Sequence, residues 1–476
     1  TQEWPLRPSY GGITRWKLTN FSNMEIIILS KEKVKPSKST PPNLRNHKLS
    51  LYDQLVCEIC ITPIFFYKNN NIANIADNRL RNSLSKTLTP FYPLAGELSA
   101  ENPTFVDCND NGVLYVEARA KGGSLDEFLQ NPNLSQLIKF LPQNGSMGSK
   151  MNYAQTLETL VSIQVTRFEC GGVAIGGVLF HKLLDGATMG KFFNTWAKIA
   201  RGDDDDDGIA KITDLDFTSS SLLFPAQNIS QKIMKTLNVL FYNEEKPLYR
   251  RFVFDARAIE AIKMKVSGKN VPNPTRIEAL TTFIWKHMTL ATRRVKGISS
   301  SSRPSIVTHI VNLRSRMEPQ LLNAFGNLIF IAKGEFIEMT NKVELPHLVG
   351  IVRQMFKNMS GENLKALEGN GVLDCLMDVA TQVGSLFPEL DIFKFTSWCN
   401  FGLYDVDFGW GKPIFVAPFN DTIGSLNKQQ IILVENGKND GIEAWILRNN
   451  EEMLELEKDE EFLAYASPNP SVQYDS

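Results

Sequence analysis

His181-Lys182-Leu183-Leu184-Asp185-Gly186 stands where a buried-strand pattern stops and a helical pattern begins. Upstream, Val161, Ile163 and Val165 alternate with Ser162, Gln164 and Thr166, the period of a half-buried strand. Cys170-Gly171-Gly172 breaks the chain as a hairpin turn does. Val173 to Phe180 is almost continuously apolar, as a central strand reads, and Gly176-Gly177 permits close backbone approach. Downstream, Met189, Phe192, Phe193, Trp196 and Ala200 recur at helical spacing. His181 and Asp185 therefore belong to a strand-to-helix connection. A histidine held at the open end of a buried strand is rigid yet reachable, which suits a general base. One His–Asp pair at this spacing also recurs by chance, so the chemistry needs support from elsewhere in the chain.

The chain has 476 residues, 43% of them hydrophobic, with a formal net charge of -1. That length allows two or three domains, each with its own core. A near-zero balance argues against nucleic acid or an anionic membrane held through a global field. Six scattered cysteines in a chain this long predict no disulfide framework, so a reducing, cytoplasmic setting fits. Cys57-x-x-Cys60 lacks a second ligand pair and sits in a strand-like context, so no metal site is expected. No run approaches the roughly 18 apolar residues of a membrane span. Residues 1–23 carry Trp4, Pro5, Pro8 and Gly11-Gly12 without an apolar segment like that of a signal peptide, and form an extension whose role is not legible.

Strand and helix patterns alternate throughout. Leu55–Tyr67 reads as a strand, Ile75–Thr89 as a helix, and Phe105–Cys108 with Leu114–Ala118 as strands about a turn. The helix after His181 ends near Arg201-Gly202. Asp203 to Asp207 are five successive aspartates whose repulsion favours a solvated linker over a cation site. Beyond it come a strand at Arg251–Phe254, helices at Ala256–Val266, Arg276–Ala291 and Leu345–Leu367, and strands at Ile306–Leu313, Asn327–Ala332 and Gly441–Ile446. No repeat period is present. The expected organisation is an extension (1–23), an α/β domain (24–201), a crossover linker (202–245) and a second α/β domain of similar size (246–476).

Asp407-Phe408-Gly409-Trp410-Gly411 follows Thr396-Ser397-Trp398-Cys399. A kinase reading of Asp407-Phe408-Gly409 fails for want of a glycine-rich loop and its partner motifs. Paired with His181-x-x-x-Asp185, the segment resembles the BAHD family of plant acyl-CoA-dependent acyltransferases. Tyr92-Pro93-Leu94-Ala95-Gly96, Asn312-Leu313-Arg314-Ser315-Arg316-Met317 and Phe325-Gly326-Asn327 agree, and the likeness covers about residues 24–460. Leu49-Ser50-x-x-Asp53-Gln54 and Phe168-Glu169-Cys170-Gly171-Gly172 are similar to the branch holding alkaloid acetyltransferases. The resemblance implies two chloramphenicol-acetyltransferase-like domains, each a mixed sheet with helices, and an active-site channel between them. It implies a monomer that binds no resident cofactor, takes acyl-CoA as co-substrate and acylates a small hydroxylated acceptor. Acetyl transfer to an alkaloid or similar metabolite is the leading expectation. Malonyl transfer to an anthocyanin glycoside, short-chain acyl transfer to a sugar ester, and an inactive ligand-binding relative are the alternatives. Phe180, Leu183-Leu184 and Glu97 depart from the family pattern, and Phe180 is expected to narrow the acceptor side.

In this reading His181 takes the acceptor proton, a task that suits an imidazole near neutral pH. No covalent acyl-enzyme is implied, although Cys399 beside Trp398 needs excluding. Asp185 could serve a relay; the resemblance instead implies that it turns away and pairs with an arginine, with Arg314 the partner. Asp407, Gly409 and Trp410 take structural roles. Trp398 either donates its indole N–H to the oxyanion or fills the inter-domain core. Thr396 touches the acceptor. Lys263, Lys265 and Arg276, with Thr275 capping the helix that Arg276 begins, either meet the CoA phosphates or form a solvated basic face.

Overall fold

The computed structural model describes residues 24–474 apart from 57, 69–77, 143–156, 204–213, 231–232, 234–247, 298–302, 336, 340–343, 370, 387–388, 420–429 and 438–439. The N-terminal extension, Cys57 and most of the acidic crossover lie outside the described residues.

Two mixed sheets organise the chain. The first contains β1 (Glu25–Val34), β2 (Pro63–Tyr67), β3 (Val113–Lys121), β4 (Val161–Phe168) and β5 (Val173–Phe180). The second contains β6 (Leu248–Phe254), β7 (Arg303–Asn312), β8 (Ile329–Lys333), β9 (Asp391–Ser397), β11 (Gln430–Glu435) and β12 (Ile442–Arg448). Between β9 and β11 in sequence lies β10 (Phe415–Pro418), which joins the first sheet. The spatial orders are β1-β3-β4-β5-β2-β10 and β8-β7-β9-β11-β12-β6. β3 and β4 run parallel, as do β7 with β9 and β9 with β11, while the other neighbours in these orders are antiparallel.

The expected hairpin is present: Phe168 N–H donates to Gly172 O at 2.9 Å, and Val161 faces Leu179 across β4 and β5. β5 is buried along its whole length, consistent with its apolar run. Gly176 is needed for space: a Cβ there would lie 2.1 Å from Phe140 O. The helix after the turn spans Gly186–Arg201 and stops at Gly202. Other boundaries differ from the sequence reading. Leu55–Tyr67 is not one strand: helix α1 (Leu51–Leu55) precedes a short strand, Cys60–Ile61, and β2. Ser50 and Asp53 form a capping box that starts α1, and Pro63 cannot donate to a continuous ladder. Leu345–Leu367 breaks after Lys357, and a further helix, Gly371–Leu386, carries the apolar spacing Val372, Leu376, Val379, Val383.

β10 explains the glycine-rich turn before it. Asp407 Oδ1 accepts from the N–H groups of Gly409 (2.7 Å) and Gly411 (2.9 Å). Those glycines have φ of 97° and 108°, a region that a Cβ disfavours. Phe408 is fully buried, edge-on to Trp196 at 4.8 Å, while Arg79 and Arg201 donate to the carbonyls of Phe408 and Asp407. The turn thus anchors to the first half of the chain, and β10 pairs with β2 directly afterwards, Phe415 opposite Phe66. Gly409→Ala is expected to cost about 1–2 kcal/mol, seen as a lower thermal midpoint with the Michaelis constants unchanged.

Candidate active site

A cavity of about 620 Å³ opens between the two sheets. Its walls come from α1 and Ile59–Thr62, from the His181 turn, and from β7, β8 and β9. Isoleucine, valine, leucine and phenylalanine make up about half of them, interspersed with polar residues, a mixture suited to a small-molecule site.

His181 follows the last residue of β5, and its own N–H donates to Ile59 O at 2.8 Å. The ring orientation is set by a residue far away in sequence. His181 Nδ1 lies 3.1 Å from Asn327 Oδ1. Asn327 Nδ2 donates to Asp53 Oδ1 (2.8 Å) and to His181 O (2.8 Å), so its oxygen is the end facing the ring. An amide oxygen only accepts. Nδ1–H is therefore the donor to that oxygen. Asp53 completes the chain. It is fully buried and accepts from Asn327 N (2.7 Å), Asn327 Nδ2, Ser50 N (2.8 Å) and Ser50 Oγ (2.6 Å). Burial pushes its carboxyl up to about 6, against the opposing pull of those hydrogen bonds.

Asp185 is placed differently. Its Oδ1 accepts from Thr188 N at 2.9 Å and caps the following helix. Oδ2 takes Arg314 Nη1 at 2.6 Å and Leu328 N at 3.1 Å. Arg314 also donates to Ala324 O, Gly326 O and Thr188 Oγ1, at 2.9–3.0 Å. Burial alone would raise the Asp185 carboxyl, but the Arg314 ion pair and these donors hold it below the ordinary carboxylate range. The pair joins the His181 turn to the loop carrying Asn327.

Trp398 and Thr396 line the same cavity as His181. So does Cys399, whose thiol burial pushes up to about 11; it stays protonated at neutral pH and is a poor nucleophile. Phe180 is not brought to the cavity. It is fully buried in the first domain's core, because neighbouring strand residues point to opposite faces. Asp407, Gly409 and Trp410 also stand away from the cavity wall. Lys263 pairs with Glu260 at 2.9 Å, Lys265 with Glu461 at 2.6 Å, and the Thr275 hydroxyl caps its own helix. Arg276 donates to Asp440 O at 3.0 Å and is not among the residues that line the cavity. No cluster of three or more metal-ligating side chains occurs among the described residues, and no described helix is long and apolar enough to cross a membrane.

The site is thus a half-buried histidine at the end of a buried strand, held by a polar chain on a cavity between two mixed sheets. Residues 24–463 match the Transferase family, and the chain belongs to that family, the BAHD acyltransferases. It is 39% identical to akuammiline synthase 2 of Alstonia scholaris over 95% of this chain and 99% of that protein. Against limonoid 7-O-acetyltransferase of Citrus sinensis it is 35% identical, covering 94% and 99%. Among solved structures, vinorine synthase superposes with a TM-score of 0.76 at 31% identity, covering 93% of this chain and 99% of the other. TRI101 of Fusarium sporotrichioides, solved with coenzyme A and T-2, shares the fold at a TM-score of 0.64 and 16% identity, covering 89% and 99%.

Proposed function

We propose that the protein transfers an acetyl group from acetyl-CoA to a hydroxyl of a polycyclic specialised metabolite, with His181 as general base. The observation that supports this reading is the chain Asp53–Asn327–His181, which directs the Nδ1–H of His181, a residue that lines the cavity, to Asn327 Oδ1. His181 Nε2 removes the acceptor O–H proton as the oxygen attacks the thioester carbonyl carbon. The C=O pair moves to oxygen, and the Trp398 indole N–H is the donor proposed for that oxyanion. Collapse breaks the C–S bond, and the CoA thiolate leaves with the proton held by His181. Asn327 Oδ1 faces the ring N–H that becomes part of the imidazolium, and Asp53 fixes Asn327. Arg276, Lys263 and Lys265 remain proposed contacts for the CoA phosphates. The relatives' names supply the acetyl group and a limonoid alcohol as one acceptor class; an alkaloid alcohol is the other we propose, with the protein acting as a cytosolic monomer.

The test is thiol release from acetyl-CoA with candidate alcohols, alongside a product heavier by one acetyl group. Thiol release that ignores the acceptor would sink the reading. A second test addresses the positioning chain. Asn327→Ala is expected to lower kcat by about 10²-fold through a misplaced ring, with the KM for acetyl-CoA unchanged. Asp53→Asn keeps an oxygen facing Asn327 and should lose less. Matched loss of stability and kcat in both variants would mean a merely structural role.

A further inference from the structure

The helix Gly186–Arg201 has a glycine at its first position and another, Gly190, one turn later. Glycine inside a helix costs about 0.5–1 kcal/mol against alanine. Backbone conformation does not call for it here, since neither residue has a left-handed φ. Space does. A Cβ at Gly186 would lie 2.5 Å from Phe401 Cε2, and one at Gly190 would overlap the Phe401 carbonyl oxygen. One turn further on, Asn194 Nδ2 donates to Gly190 O and to Gly402 O, both at 2.9 Å. Positions 186, 190 and 194 share one face of the helix, and Phe401-Gly402 rests on that face.

The segment around Phe401 is shaped to reach it. Trp398 N–H donates to Leu433 O at 2.8 Å, so the chain there still belongs to the second sheet. Asn400 and Gly402 both have φ of 65°, the left-handed region that asparagine and glycine enter most readily. They turn the chain on either side of Phe401, whose side chain packs on the first domain's core. Phe401 and Gly186 are half-buried and line the cavity, as do His181 and Trp398. The glycine face therefore joins the histidine's own strand-to-helix turn to the segment that carries the tryptophan. It is a tie separate from the Asp185–Arg314 pair, which holds the Gly326–Leu328 loop.

We propose that Gly186 and Gly190 are positioning residues, whose missing side chains seat Phe401 and so set the spacing between His181 and Trp398. This rests on the acyltransferase reading for the roles of those two groups. A methyl added at 186 meets a ring, which a substitution at 401 removes. A methyl added at 190 meets a backbone carbonyl, which every residue at 401 keeps. The two positions therefore differ in how they are rescued. The experiment measures acceptor-dependent thiol release by the full-length protein, with acetyl-CoA and, as probes, a limonoid alcohol and an alkaloid alcohol, beside urea midpoints. Gly186→Ala should lower kcat about 10²-fold, the cost of a misplacement near 1 Å. Its urea midpoint should fall little, since alanine recovers helix propensity. Adding Phe401→Ala to Gly186→Ala should return kcat to the level of Phe401→Ala alone, whereas adding it to Gly190→Ala should recover nothing. A merely structural role would move midpoint and kcat together. The rate at which diethyl pyrocarbonate modifies His181, read by peptide mass spectrometry, follows the same variants without any acceptor. Gly186→Ala should shift that rate about tenfold, the scale of a methyl forced into a packed wall, and the double variant should match Phe401→Ala. Wild-type kcat or an unshifted modification rate in Gly186→Ala, additive losses in its double variant, or equal rescue at both positions overturns the proposal. Rescued modification in a protein that releases no thiol would sink the acyltransferase reading and leave the seat in place.

Discussion

Replacing His181 with alanine is expected to lower acceptor-dependent thiol release by about 10²–10⁴-fold, the usual contribution of a positioned acid–base group. The fold should survive. His181 sits in a turn whose backbone is held by its own N–H to Ile59 O and by Asn327 Nδ2 to its carbonyl. Neither bond needs the imidazole. The variant should therefore keep the wild-type urea midpoint and its affinity for CoA. His181→Gln is the sharper control, because a glutamine fills similar space but does not act as a base near neutral pH. Turnover within about tenfold of wild type in either variant would contradict the assignment, since a loss that small is only ~1.4 kcal/mol of barrier. The measurement must be acceptor-dependent, because hydrolysis of the thioester by water would hide the loss.

Part of this site is legible in the sequence, and the part that is not has a physical pattern. His181 stood out because an apolar run stops at it, a local signal. The Asp185–Arg314 pair was expected from family likeness and is present at 2.6 Å. Asn327 and Asp53 were visible as parts of longer motifs, yet no role was attached to them. Their partnership spans 274 positions, and no spacing rule reaches that far. The capping box at Ser50 and Asp53 was within reach of sequence rules, but a cap alone gives no hint that the same carboxylate also holds Asn327. Phe180 was misplaced for a simpler reason. If His181 faces the cavity from the end of an extended run, its neighbour faces the core. Strand β10 shows the remaining limit: four apolar residues after a glycine-rich turn do not reveal which sheet they join. Pairing with β2 follows only once the turn's carbonyls are seen tied to Arg79 and Arg201.

Arg314→Ala should produce the largest loss of stability among the site variants, about 3–5 kcal/mol, because it strands a buried carboxylate. Asp185 is 1% exposed and Arg314 3% exposed, so solvent cannot replace the lost partner. Asp185→Asn removes the charge but keeps the cap to Thr188 N–H, and should cost less. The pH dependence distinguishes an anchor from a relay. The Asp185 carboxyl is held below its ordinary value, so its contribution is complete at neutral pH and is lost as pH falls through the folded pKa, below about 4. The gap in urea midpoint between wild type and Asp185→Asn should thus be widest near pH 7 and shrink in acid. A relay aspartate would behave otherwise: stability would hold at every pH while kcat collapsed. The network predicts that any loss of kcat in Arg314→Ala follows movement of the Gly326–Leu328 loop, which Arg314 and Asp185 hold and which carries Asn327 to the histidine. Combining Arg314→Ala with Asn327→Ala should then cost little more in kcat than Asn327→Ala alone, since contacts in one network are not additive. Additive losses would place Arg314 in the chemistry by some route other than the positioned histidine.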